Sequence, residues 1–311
     1  MPEKRVRLLN FDDSLVAQKR LIQRFAPLIV DCKAYATRAR IWLNQTDAQA
    51  LTKILAPSQD TITLFGSGDY HHISGLLVKQ FQDPFSLIVF DHHPDWDIMP
   101  PKIACGAWVS RALEHPAIQR IILIGIFSED ISSASIYTAN LKSLANNRLT
   151  IYPYQHRPTR VFFKAVPEND SIVLKRSLAY TEIHWKQLGE TSWEDFWINL
   201  IQKIPTDKVY ISIDKDCLRK EFALTNWEEG MLSLDQIIMA LKILKQHKAI
   251  LAADITGEFS LPVLSQSPLK QMISAFDHPK NFSAAGFPAD RIHRVNENTN
   301  IRLLETLRDP Q

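Results

Sequence analysis

Apolar residues along this 311-residue chain gather in short unbroken runs. Thr61–Phe65, Phe85–Phe90, Ile121–Ile126, Leu149–Tyr152, Ser171–Leu174, Lys208–Ile213 and Ala249–Ala253 are continuous in this way. That is the pattern of strands covered on both faces rather than on one. Between them the spacing changes to that of a helix stripe. Ile73, Leu76, Leu77, Gln80 and Phe81 form one stripe, and Leu234, Ile237, Ile238, Leu241 and Leu244 form another. Ser233 and Gln236 sit at the start of the second with the spacing of a capping box. Strands alternating with helices predict an α/β fold with a mainly parallel sheet. The region from His156 to Trp197 is the least regular and reads as an insertion or lid-like excursion (156–197) within a single domain spanning 1–311.

Composition narrows the function classes. Nine glycines in the whole chain are less than half the roughly 7% of an average protein. No stretch supplies G-x-G-x-x-G or G-x-x-x-x-G-K-[ST], which excludes the dinucleotide fingerprint and the P-loop. Thirty-six basic residues against 34 acidic ones leave a formal charge of +2, so no nucleic-acid partner is expected. Cys32, Cys105 and Cys217 have neither zinc nor disulfide spacing, which favours a reducing compartment. Met1–Asn10 is charged and lacks an apolar stretch, and no run of about 18 apolar residues occurs. The expectation is a cytoplasmic protein with no membrane partner.

Ligands in such folds collect at the carboxyl ends of the strands, and four strand ends here are polar. Thr61–Phe65 leads into Gly66-Ser67-Gly68-Asp69-Tyr70-His71-His72, and Phe85–Phe90 into Asp91-His92-His93-Pro94-Asp95-Trp96-Asp97. Lys208–Ile213 leads into Asp214-Lys215-Asp216, and Ala249–Ala253 into Asp254-Ile255-Thr256-Gly257-Glu258. In an extended segment alternate residues point the same way, so Asp91, His93 and Asp95 would share one side. Pro94 favours extension of the residue before it. Asp214 and Asp216 are spaced to aim together. Alone, an Asp-x-Asp after a strand is usually a turn or a helix cap. Four carboxylates converging at a sheet edge would repel one another without a cation. A set rich in carboxylates with one or two imidazoles suits Mn²⁺.

These residues resemble the arginase/agmatinase (ureohydrolase) superfamily, whose fold is shared with histone-deacetylase-like enzymes. The family order of Gly-Gly-Asp-His, Asp-x-His-x-Asp, Ser-x-Asp-x-Asp and a late acidic residue is matched by Gly68-Asp69, Asp91-x-His93-x-Asp95, Ser212-x-Asp214-x-Asp216 and Glu258. Gly230-Met231-Leu232-Ser233 is similar to the family's helix start after the second aspartate pair. The resemblance implies a three-layer αβα fold and a divergent member of the group. It implies two manganese ions bridged by Asp91 and Asp214, with Asp95 on one ion and His93 and Asp216 on the other. A single ion, Zn²⁺ or Fe²⁺ is the variant of this expectation. A metal-activated hydroxide would then hydrolyse a non-peptide C–N bond in a guanidino, amidino or amide substrate. Asp95 and Glu258 are the expected catalytic carboxylates, and Glu258, Glu229 and Trp96 the expected contacts to a small, cationic substrate. A homo-oligomer is left open.

The chain departs from the family pattern in places. An ungapped alignment sets Tyr70 at the first metal-binding histidine, whereas one extra loop residue gives that role to His71; His72 is the poorer candidate. Cys105-Gly106 replaces the family's His-Gly, Cys105 being either a small buried hydrophobe or a reactive thiol. Glu258 is about one position out of register. His92 is expected to face away from the ligands, as a structural or ligand-supporting residue. Trp96 either walls a pocket or packs on the sheet. Asp97 is a supporting carboxylate, and Trp227-Glu228-Glu229 either a solvated acidic loop or an attractor of a cationic substrate. Glu129/Asp130 and Glu182/His184 are further pairs within reach of the site.

Three alternatives stand beside the ureohydrolase reading. One is a mononuclear deacetylase-like amidohydrolase. Another is a DHH-type phosphoesterase, suggested by Asp91-His92-His93; there an Asp-x-Asp precedes the DHH, whereas Asp214-x-Asp216 follows it. The third is a non-catalytic metabolite-binding member of the fold, favoured by Tyr70 and Cys105.

Overall fold

A computed structural model describes residues 3–55, 58–101, 103–261 and 282–309, together with 268 and 272. Eight parallel strands form the central sheet: β1 (Arg5–Asn10), β2 (Leu28–Asp31), β3 (Thr61–Phe65), β4 (Phe85–Phe90), β5 (Ile118–Ile126), β6 (Leu149–Pro153), β10 (Lys208–Asp214) and β11 (Ala249–Thr256). Their order is β2-β1-β3-β11-β10-β4-β5-β6, and every neighbouring pair runs parallel.

Alternate residues of each strand feed two separate cores, which is what makes the fold three-layered. Leu9, Phe65, Leu87, Val89 and Leu123 pack on one face with Ile73, Leu77 and Trp108. Leu8, Leu64, Ile88, Phe90 and Ile122 pack on the other, under Trp197, Leu241 and Leu303. Both faces are therefore apolar, as the unbroken runs require. Helix Leu234–His247 begins with the expected reciprocal cap, Ser233 accepting from Gln236 N while Gln236 accepts from Ser233 N. Helix Ala289–Arg308 lies on the same side and buries Leu303, Leu304 and Leu307. No helix among the described residues is long and apolar enough to cross a membrane.

Two expectations change. The run Ser171–Leu174 does not join the central sheet. Its strand, β8 (Ile172–Arg176), lies in a separate antiparallel sheet of order β7-β9-β8 with β7 (Thr159–Phe162) and β9 (Tyr180–Trp185). Most of β8 is at least partly exposed, so its apolar run covers one face only. This small sheet occupies the irregular 156–197 region and packs inward through Trp185, whose ring meets Trp96 edge-on at 6.3 Å. The second change is β1, an interior strand that the apolar runs do not announce. Arg7 sits buried in its middle, its guanidinium donating to Ser58 and Thr63.

Candidate metal centre

The topology brings β3, β11, β10 and β4 side by side, so their four polar carboxyl ends meet at one edge. After β3, Ser67 caps the turn Gly68–Tyr70. That turn directs the Tyr70 ring away from the cluster into the core onto Phe11, stacked at 4.6 Å, with its hydroxyl donating to Ala36 O. His71 is thereby delivered to the cluster. Its Nδ1 lies 3.1 Å from Asp91 Oδ2, 3.3 Å from Asp95 Oδ2 and 3.4 Å from Asp214 Oδ2. Of the two candidates, His71 faces the carboxylates and Tyr70 does not.

The segment after β4 is not extended throughout. Asp91 Oδ1 accepts from His93 N at 2.7 Å, and Asp95 adopts a left-handed φ of 46°. Asp95 Oδ2 accepts from Trp108 Nε1 at 2.7 Å, which fixes the carboxylate. Asp91, His93 and Asp95 still converge, by a local twist rather than by strand alternation. The same twist corrects the expectation for His92. It lines the cavity, its ring 4.7 Å from that of His93. After β10, Asp214 Oδ1 accepts from Asp216 N, and Asp216 Oδ1 accepts from His92 N. Asp216 Oδ2 is left 3.1 Å from His93 Nδ1.

Ligand-type atoms of His71, Asp91 and Asp95 form one group, and those of Asp91, His93 and Asp216 a second, each within 4.8 Å. Asp214 adjoins the first through His71. The donor set fits a pair of divalent cations sharing a carboxylate. Asp91 Oδ2 is buried without a hydrogen bond despite its nearness to His71. Gly257, at φ +88°, has no room for a side chain, since a Cβ there would fall 2.5 Å from Asp214 Oδ1. At Gly68 a Cβ would fall 2.8 Å from Asp214 Oδ2.

Supporting contacts set the ring orientations. Ser212 Oγ donates to Asp254 Oδ1 at 2.7 Å, so it accepts from His71 Nε2 at 3.0 Å. The Nε2–H tautomer leaves the His71 Nδ1 lone pair facing the carboxylates. Asp254 is itself held by Tyr210 and Ser74 hydroxyls.

Burial opposes a charge on His71, but Asp91, Asp95 and Asp214 outweigh it and hold this imidazole well above its ordinary pKa. His93 is raised likewise, burial being overcome by Asp216 and Glu228. Burial raises Asp91 and Asp95, and raises Asp214 strongly, with Asp216 adding repulsion at Asp214. His92, buried beside His93, is pushed down to about 4.

The cluster floors a cavity of about 790 Å³. Asp97, Glu129, Asp130, Glu228 and Glu229 stand on its walls with Trp96, Met99, Pro100, Phe127 and Cys105. No lysine or arginine is among the lining residues described. Trp96 is 1% exposed, so it walls the cavity and packs in the core at once. Trp227 Nε1 donates to Asp69 Oδ1, anchoring the Trp227–Glu229 loop over the site, and its ring meets His93 edge-on at 5.2 Å. Glu229 reaches the wall while paired with Lys220 at 3.4 Å. Glu182 and His184 pair with each other on the small sheet, away from the cavity.

Glu258 does not reach the cavity, contrary to expectation. The left-handed turn at Gly257 sends it inward, where it is ion-paired with Lys215 and accepts from Gln18 Nε2 at 2.9 Å and Asn300 Nδ2 at 2.7 Å. The one-residue register difference leaves Gly257 against Asp214 and turns the Glu258 carboxylate into the core.

No family model matches the chain. An uncharacterized protein of Thermotoga maritima is 24% identical over 253 residues, covering 81% of this chain and 79% of that one. Arginase from Bacillus subtilis superposes with a TM-score of 0.58 at 13% identity, covering 100% of this chain and 99% of its own. Formimidoylglutamase from the same species gives 0.55 at 14% identity, covering 99% and 88%. An agmatine ureohydrolase of Thermoplasma volcanium gives 0.52 at 14%, covering 98% and 92%. The chain therefore has the fold of the arginase/ureohydrolase superfamily.

Proposed function

We propose that this chain is a manganese-dependent hydrolase of a non-peptide C–N bond, acting as one catalytic domain on a small cationic guanidino, amidino or amide compound. The observation that carries the reading is the meeting of six side chains, His71, Asp91, His93, Asp95, Asp214 and Asp216, at the floor of one cavity. His71 and Asp95 would hold one cation and His93 and Asp216 the other, with Asp91 and Asp214 available to both. Such a pair supplies, when bound, a water of lowered pKa and polarisation of an sp² carbon.

The chain's own groups do the rest. Trp108 and Ser212 fix the angles of Asp95 and His71, so the donors are ordered before any cation arrives. Asp130 and Glu229 present negative charge to a cationic substrate, while Phe127, Met99 and Trp96 exclude water from its carbon skeleton. Among the described lining residues the carboxylates stand without arginine or lysine, which disfavours a phosphodiester whose negative charge they would repel. Purified, Mn²⁺-supplemented protein assayed against guanidino, amidino and amide compounds tests the proposal. Turnover that disappears in Asp91→Asn supports it. A wild type that retains no Mn²⁺, Zn²⁺ or Fe²⁺ on supplementation ends it.

A further inference from the structure

His93 faces two ways. Its Nδ1 looks into the carboxylate cluster, 3.1 Å from Asp216 Oδ2, whereas its Nε2 looks outward, 3.4 Å from Glu228 Oε2. On that outer side stands His92, only 4% exposed. His92 Nδ1 and Glu228 Oε2 are both buried atoms without a hydrogen bond, and buried polar atoms in that state call for an explanation. Ligand-type atoms of His92, His93 and Glu228 lie within 4.8 Å of one another. Donors on one tetrahedral ion at bond lengths of about 2.0–2.2 Å stand somewhat closer than that, so a small side-chain adjustment closes the set.

We infer that His92, His93 and Glu228 form a separate cation site at the cavity wall, selective for a borderline divalent ion such as Zn²⁺. Two imidazoles and one carboxylate are a zinc donor set with a fourth position open. The inner cluster, rich in carboxylates, is a harder site better suited to Mn²⁺. Two residues outside the inner cluster make the difference. His92 adds a second imidazole directly before His93, and Glu228 reaches in from the Trp227-anchored loop. The ion would sit beside the acidic wall, where it competes with a cationic substrate for negative charge. The inference rests on the geometry of the outer trio and shares only His93 with the proposed manganese pair; with both sites filled His93 would bridge them as an imidazolate, its remaining N–H proton released to solvent.

Zinc stoichiometry after equilibrium dialysis, in wild type, His92→Ala and Glu228→Gln, tests it. Wild type is expected to bind one equivalent more than either variant, or to bind that equivalent at least about tenfold more tightly. Cobalt substitution supplies an independent readout, because a visible absorption band from a low-coordinate Co²⁺ should be present in wild type and missing from His92→Ala. If His92→Ala fails to fold, Glu228→Gln, on a half-exposed loop residue, gives the same comparison. Equal zinc stoichiometry and affinity in wild type and the folded variants overturns the inference. Failure of the proposed activity looks different: no turnover, with the His92-dependent zinc equivalent still present.

Discussion

Lys215 lies between the two cluster aspartates in sequence, yet its ammonium points away from the cavity and pairs with Glu258 in the interior. Lys215 is 0% exposed, and burial lowers its pKa against the pull of Glu258. Removing one member leaves the other charge buried and unpaired, which costs about 3–5 kcal/mol. Lys215→Met should therefore lower stability by that amount in urea unfolding, and Lys215→Met/Glu258→Leu should recover much of it. A Glu258→Gln protein with unchanged stability and a raised KM would instead return Glu258 to the substrate.

Gly257 tests how tightly the floor is built. An alanine there would be strained by φ +88° and would push its methyl group into Asp214 Oδ1. Gly257→Ala is expected to cost about 1–3 kcal/mol and to lower bound Mn²⁺ measured by elemental analysis. Full manganese occupancy in the variant would show that Asp214 is free to move aside.

The histidine assignment separates cleanly by mutation. Tyr70→Phe removes one hydrogen bond to Ala36 O, worth about 1 kcal/mol, and should leave metal content intact. His71→Ala should lose one of two manganese equivalents in the same measurement. The reverse pattern would place the tyrosine at the ion.

The pH dependence has a definite sign. His71 and His93 titrate above their ordinary value in the cation-free fold. Such groups stabilise the fold below the unfolded pKa, and that contribution is lost as pH rises through the folded one. Asp91, Asp95 and Asp214 are also raised and act in the same sense. His92, lowered to about 4, has the opposite effect, but only below about pH 6.5. Cation-free protein should therefore lose thermal stability as pH rises above about 6.5. Saturating Mn²⁺ should flatten or reverse the slope, because ligands must shed protons to bind. Differential scanning calorimetry with and without chelator reads both slopes, and a cation-free Tm that climbs with pH would contradict the assigned shifts.

The central strands were legible because burial on both faces leaves an unbroken apolar run, as in Phe85–Phe90. β1 was not, because Arg7 enters the interior with its hydrogen-bond partners supplied by Ser58 and Thr63. An apolar run also does not say which sheet it joins, and β8 went to the smaller one. At the site, the spacing of Asp91, His93, Asp214 and Asp216 carried the cluster. The Glu258 side chain was set by one backbone torsion, the turn at Gly257, and His92 lies in the turn where Asp91 Oδ1 accepts from His93 N. Residue types do not encode those turns directly. Glycine at 257 was the available signal, since a left-handed residue there redirects the chain at Glu258.

The adjacency of β3 and β4 with β10 and β11 has one more consequence. His93 and Asp216 are 123 residues apart in sequence, and His71 and Ser212 are 141 apart. An ion held between them would act as a removable cross-link between the two halves of the chain, closing a loop whose entropy cost is otherwise met by packing alone. Chelation would then be felt as easier opening along the seam between β4 and β10. Protease nicking there would be a gauge of occupancy that needs no substrate at all.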